Sequence, residues 1–201
     1  MANLFTLPVG KFNAFTGVLA EAGLTAEQAE AISRDRSLAV IMIAALAVAG
    51  QKIAEMFTAF VNYLQPSFAE LDKAFDWVNP NYANARFEQI ERCKDVVRTA
   101  REVAFRYFTI DRQMTTEEIL DAMDAAGLRP ALYEELLAFA SKYPNEQRKH
   151  TIAALGSVAR VGSDLHVACL GESDHERFLN LCCDDPADPW IDDCVFLAAS
   201  K

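Results

Sequence analysis

Cationic side chains are in short supply in this sequence: 19 Lys and Arg stand against 29 Asp and Glu in 201 residues, a formal net charge of −10. Charge-driven binding to nucleic acid or an anionic membrane needs the opposite balance, so neither is expected as the main activity. Glycine (8) and proline (7) are also few while 52% of residues are hydrophobic, which excludes collagen-like and disordered chains. No Lys or Arg precedes Lys11, so the cationic start of a secretory signal is missing. The longest apolar run, 38–50, falls short of the ~20 residues a membrane helix requires and reads as a buried helix. The five cysteines are odd in number and unevenly placed, which argues against a disulfide scaffold and for a reducing, cytoplasmic location. Walker lysine, G-x-G-x-x-G and H-E-x-x-H patterns are absent, and ALGSV around Ser157 is not G-x-S-x-G.

What the sequence does contain is a series of helix signals over its first three-quarters. Thr25 with Gln28, Ser67 with Glu70, and Thr115 with Glu118 have the capping-box spacing, in which each side chain satisfies the other's orphan amide. Pro66 closes a long helix over 38–65, and Asn79-Pro80-Asn81 closes the next. Gly127 suits a C-terminal cap, and Pro130 suits the first turn of a helix that Pro144 ends. Within 38–65, Ile53, Met56, Phe57, Phe60, Val61 and Leu64 step by three and four as one buried stripe. A further helix is expected over 81–109, with Ile90, Cys93, Val97, Ala100, Ala104 and Tyr107 forming a seam that offers a route to a homo-oligomer. The stretch 86–112 carries seven basic and five acidic residues, read as a solvated face laced with pairs rather than as a phosphate or acidic-partner site.

After Pro144 the pattern turns extended. Strands are expected at 150–161, 165–170, 178–183 and 194–199, with Gly162-Ser163-Asp164 as a turn and 184–193 as a proline-broken acidic loop around Trp190. The expected fold is therefore α+β: a mostly helical part, 1–148 with about six helices, packed on a small antiparallel four-stranded sheet at 149–201 that shares its core.

The run YPNEQRKHTIAALGSVARVGSDLHVACL, followed by WIDDCVFLAAS, resembles the ending of small uncharacterised bacterial proteins, in which a helix with a Tyr-Pro end leads to an ALGS strand and a terminal strand follows a tryptophan-bearing loop. The resemblance covers about residues 130–200. It implies a bacterial or mobile-element origin and a small sheet, and it carries no activity or site residue.

All three histidines (His150, His166, His175) and four cysteines (Cys169, Cys182, Cys183, Cys194) fall in the last quarter. His166 and Cys169 on one strand should point to opposite faces, as should adjacent Cys182 and Cys183, so no chelate is expected and the thiols read as core filling. Acidic surroundings push a thiol's pKa up, against catalysis by cysteine. From His150 onward there are three basic and nine acidic residues, a net −6. The function expected is a non-catalytic interaction protein with no cofactor and no metal. It presents Asp184, Asp185, Asp188, Trp190, Asp192 and Asp193 to a basic protein partner, as a regulator or inhibitor of a nucleic-acid-binding protein. The alternative is an enzyme or metal-binding protein using the C-terminal His/Cys/Asp cluster.

Overall fold

The computed structural model describes residues 56–183, 189–191 and 193–201. All of them belong to one compact unit, 52–201. In chain order the elements are β1 (Phe57–Val61), α1 (Phe68–Ala74), β2 (Trp77–Val78), β3 (Phe87–Gln89), β4 (Arg101–Thr109), α2 (Thr116–Ala125), β5 (Leu128–Pro130) and α3 (Tyr133–Lys142). Four longer strands follow: β6 (Thr151–Val161), β7 (Asp164–Ser173), β8 (Glu176–Cys183) and β9 (Cys194–Ser200). Short 3-10 turns sit at Pro80–Ala83, Glu91–Cys93 and Glu146–Arg148. The strands make one nine-stranded mixed sheet in the order β1-β4-β9-β6-β7-β8-β2, with β3 added on β6 and β5 on β9. The β6–β9 and β2–β8 pairs are parallel.

Alternation along the strands gives the sheet two apolar faces. Ile152, Ala154, Leu170, Leu197, Phe105 and Val61 pack with Leu136 and Phe139 of α3. Their strand neighbours Ala153, Leu155, Cys169, Phe196 and Ala198 pack with Ile119, Leu120 and Met123 of α2. Burial on both faces explains why 152–157 is buried at every position, since a central strand covered on both sides has no wet face.

The expected mostly helical part over a four-stranded antiparallel sheet is overturned. Five of the nine strands lie before residue 131, and the described residues hold three α-helices. At 57–61 the buried residues are Phe57, Ala59 and Val61, at a period of two, while Met56, Phe60 and Leu64 of the supposed stripe are exposed. Pro66 therefore follows a strand and a connection, not a helix. The expected helix over 81–109 is a 3-10 turn, β3, a second 3-10 turn and β4. Val103 and Phe105 are buried two apart, and the Val, Phe, Tyr and Thr of REVAFRYFT favour a pleated strand. The helical seam proposed for self-association is thus absent, and Ile90, Cys93, Ala104 and Tyr107 fall on different elements. Pro130 ends β5, three residues before α3 begins. The parts of the expected pattern at 25–28 and 38–55 lie outside the described residues.

Two caps stand where the spacing put them. The Ser67 N–H donates to the Glu70 carboxylate at 2.7 Å ahead of α1, and Thr115 N–H does so to Glu118 at 2.9 Å ahead of α2. Gly127 follows α2 at φ +70°, the left-handed conformation that closes helices. All four C-terminal strands are present, β7 and β8 longer than expected, as members of the larger sheet.

The parallel pair β6–β9 runs together only over Thr151–Ala153 and Cys194–Phe196 before the strands splay. Ala131 fills the fork: its N–H donates to Leu197 O and its carbonyl accepts from Gly156 N–H, both at 2.9 Å. Beside it the buried Ser157 hydroxyl accepts the Tyr133 N–H at 3.2 Å, capping α3 from another strand. The ALGS segment is thus a structural device. A Cβ on Gly156 would lie 2.6 Å from Ala131 O and 2.9 Å from Pro130 O, both backbone atoms. Gly156→Ala is expected to lower unfolding free energy by about 1–3 kcal/mol in urea titration. Gly171→Ala, whose Cβ would meet only the half-buried Phe178 ring at 2.3 Å, should cost less because that ring can swing away.

Candidate functional site

The acidic C-terminal loop is anchored through Trp190. Trp190 and Met114 exchange backbone hydrogen bonds at 2.9 and 3.2 Å, and the indole N–H donates to Thr116 Oγ1 at 2.8 Å. The ring meets Phe196 edge-on, 5.3 Å between centroids. Trp190 is therefore half-buried and fastens the loop to the first turn of α2, while its neighbour Ile191 is 46% exposed. Asp193 is exposed at the other side of the loop. Asp184, Asp185, Asp188 and Asp192 lie outside the described residues.

The anchoring brings a second acidic group into play, on α2. Glu117, Glu118, Asp121 and Asp124 are all exposed. Arg92 pairs with Glu117 and, at 2.8 Å, with Asp121; Arg112 pairs with Glu118 at 3.2 Å, and Lys201 with Asp124. Hydrogen bonding from the Thr115 backbone and from Arg112 holds the Glu118 carboxyl below its ordinary pKa, and Lys201 does the same for Asp124. Of the expected site residues the structure ties Trp190 to this helix, and Asp193 is exposed beside Cys194. The contribution of α2 was hidden in the sequence because it lies about 70 residues upstream and is joined to Trp190 through Met114 and Thr116.

The His/Cys cluster is dispersed. Cys169 and Cys182 form a disulfide between β7 and β8, with Cα atoms 6.2 Å apart. Cys169 lies opposite Asn180 and Cys182 opposite Val167, so the two are a diagonal pair on one face. The reading of the cysteines as core-filling thiols, with number and placing against a disulfide scaffold, is corrected for this pair: strand register brings the two together, which their spacing in the sequence does not show. His150 and His175 are exposed, and His166 approaches only the Asp164 carbonyl, at 3.4 Å. Among the described residues no three His, Cys, Asp or Glu converge to hold a metal ion. Burial pushes the Cys93 thiol up to about 11, and burial with the nearby Asp193 raises that of Cys194, so neither is a thiolate at neutral pH.

Sequence reading also missed a buried ionic cluster at the start of α3. The Arg129 guanidinium grips the Glu135 carboxylate with two bonds, 2.7 and 2.8 Å, with side chains 9% and 0% exposed. Glu135 further accepts the Leu132 N–H and the Tyr63 hydroxyl, both at 2.8 Å. Burial, then the Glu135 charge, pushes the Tyr63 phenol up to about 12. Tyr63 sits at φ +53°, a left-handed conformation that costs a non-glycine residue and is held here by this bond. Next to it, buried Glu134 takes Arg98 and the Gln65 amide, the latter at 3.2 Å. The pairing of Arg129 with Glu135 is six residues apart across a turn, which no helical spacing rule flags.

Among the described residues no helix is long and apolar enough to cross a membrane. Comparison with protein-family models, curated proteins and solved structures finds no significant match to this chain. What the arrangement offers chemically is charged and hydrogen-bonding surface on a rigid sheet rather than an activated nucleophile.

Two outcomes are expected. Glu135→Ala strands a buried guanidinium and should destabilise by about 3–5 kcal/mol, whereas Tyr63→Phe, losing one hydrogen bond of four, should cost about 1 kcal/mol; chemical denaturation separates the two. Reduction of the native protein, or the double replacement Cys169→Ala with Cys182→Ala, should lower stability on the order of 2–3 kcal/mol for a link spanning 13 residues. Thiol titration under denaturing conditions checks the link itself, as reduction must release two further thiols.

Proposed function

We propose that this protein is a non-catalytic binding module that receives a basic protein partner on the acidic surface formed by α2 and the 184–193 loop. The observation that supports this reading is the Met114–Trp190 backbone bridge with its indole bond to Thr116, which ties Trp190 to the helix that carries exposed Glu117, Asp121 and Asp124. Two sets of carboxylates far apart in sequence then act on one partner, and summed charge speeds encounter and sets register more than it adds affinity. Exposed Ile191, next to Trp190, offers an apolar contact to such a partner.

The finer form of the proposal is that the partner is a nucleic-acid-binding protein whose phosphate-reading surface these carboxylates occupy. The net charge of −10 supports it, because such a surface is built to meet a high density of negative charge. On compartment, the Cys169–Cys182 disulfide removes the premise on which a reducing cytoplasm was expected, since structural disulfides persist in oxidising surroundings.

The test uses protamine, a basic nucleic-acid-binding protein, as the probe. The full chain is expected to bind it and to release short duplex DNA from it, with affinity falling steeply as salt rises through the range where the Debye length shrinks to about 8 Å. Asp193→Asn combined with Asp121→Asn should weaken binding several-fold, and Ile191→Ala should do so without changing the salt slope. Salt-independent binding, or binding that the double replacement leaves unchanged, refutes the reading.

A further inference from the structure

A second site, adjoining the α2 carboxylates through Arg92 and Lys201, lies where β9 stops. The β4–β9 ladder begins at Phe105↔Ala199, yet β4 continues four residues beyond it, to Arg101, paired there with β1 alone. On the far side of β9 stands β5, with Arg129 opposite Ala199. Among the described residues no strand fills the place next to β4 beyond Ser200. That place forms a cleft of about 500 Å³, lined by Arg92, Arg101, Arg129 and Lys201 on the basic side, Asp95 and Glu102 on the acidic, with Val96, Val97, Val103 and Ala104 as apolar wall.

The four cations are not equivalent. Arg129 is committed to Glu135, Arg92 to Glu117 and Asp121, and Lys201 to Asp124. Arg101 has no carboxylate partner among the described residues; its guanidinium lies 5.8 Å from the Tyr63 ring centroid and is half-buried. Stacking on a ring leaves the in-plane N–H fork available, and a fork of that geometry fits the two oxygens of a carboxylate. Val97, 58% exposed, supplies uncovered apolar surface on the same wall. Of the four cations that line this space, Arg101 is the one without a carboxylate partner among the described residues.

We propose that this cleft binds a small organic carboxylate carrying a short apolar group, with the carboxylate on Arg101 and the apolar end against Val96 and Val97. Glu102 and Asp95 at the rim disfavour ligands of higher negative charge, which sets a singly charged carboxylate above a phosphate dianion. The hydrogen-bonding partners already assigned to Arg92, Arg129 and Lys201 keep those side chains in place without a ligand, so the site is preformed.

The experiment titrates the full-length protein with sodium butanoate, inorganic phosphate and sodium chloride at constant ionic strength, following backbone amide shifts. Butanoate is expected to give saturable shifts at Arg101, Val103, Ala104 and Ser200, at least several-fold tighter than phosphate, with none from chloride. Arg101→Gln should weaken butanoate binding tenfold or more, while Arg101→Lys, which keeps the charge and loses the fork, should fall between. Circular dichroism of both variants confirms that they remain folded. Non-saturable or scattered shifts overturn the proposal, as does equal binding by Arg101→Gln. Tighter binding of phosphate than butanoate overturns the assignment to a carboxylate with an apolar group.

Discussion

The approach of Gly156 to the backbone of residue 131 is the constraint from which the rest of the architecture follows. Two parallel strands that splay leave backbone groups facing a gap, and buried backbone groups must be paired. Ala131 pairs with both, taking Gly156 N–H on its carbonyl and giving its own N–H to Leu197. This works only because position 156 has no side chain, as a Cβ would sit 2.6 Å from the accepting oxygen. With residue 131 locked, the chain on either side is fixed as well. β5 runs back along β9, and α3 starts at Tyr133 with its first amide on Ser157.

The same fork explains a buried ion pair that would otherwise be costly. Two charges taken from water lose solvation that their mutual attraction repays only in good geometry with every remaining site filled. Glu135 meets that condition, accepting from Arg129 twice, from Leu132 N–H and from the Tyr63 hydroxyl. Among the described residues no buried side-chain nitrogen or oxygen lacks a partner. What the pair secures is position: it joins β5, the start of α3 and the chain leaving β1. An apolar cluster of equal volume would allow α3 to slide along the sheet, whereas four directed bonds do not. The positive φ of Tyr63 is the local cost of bringing its hydroxyl into that set.

Legibility in the sequence followed the range of the interactions. Caps are local, and Ser67 with Glu70, Thr115 with Glu118, and Gly127 stood where their spacing put them. The four C-terminal strands were legible because turn residues separate β-rich runs. The stretches 57–61 and 101–109 were not, because their apolar residues satisfy two periods at once. Phe57, Phe60 and Val61 fit a helical stripe, yet Phe57, Ala59 and Val61 are the buried set. Which subset counts is decided by the neighbours, β4 for β1 and β9 for β4, that lie roughly 40 and 90 residues away. For the candidate site, the acidity of the loop was legible and its setting was not, since Trp190 finds Thr116 and Met114 across the sheet. The disulfide was lost for the same reason: register, not spacing, makes Cys169 and Cys182 neighbours.

The cations of the C-terminal half are hydrogen-bonded into the fold as well as carrying charge. After residue 149 the basic residues are Arg160, Arg177 and Lys201. Arg177 turns inward, over the Phe75 ring at 5.2 Å and onto Gln147 Oε1 at 3.1 Å, where burial lowers its pKa. Arg160 spends a donor on the Ser163 carbonyl at 2.9 Å, and Arg148, just upstream, spends one on that of His175 at 2.8 Å. Guanidinium groups used in this way donate hydrogen bonds to amide oxygens of the fold while keeping their charge. The carboxylates Asp164, Glu176 and Asp193 are exposed. The C-terminal half therefore exposes carboxylates from several strands, while its arginines also tie together the turns and connections that carry them.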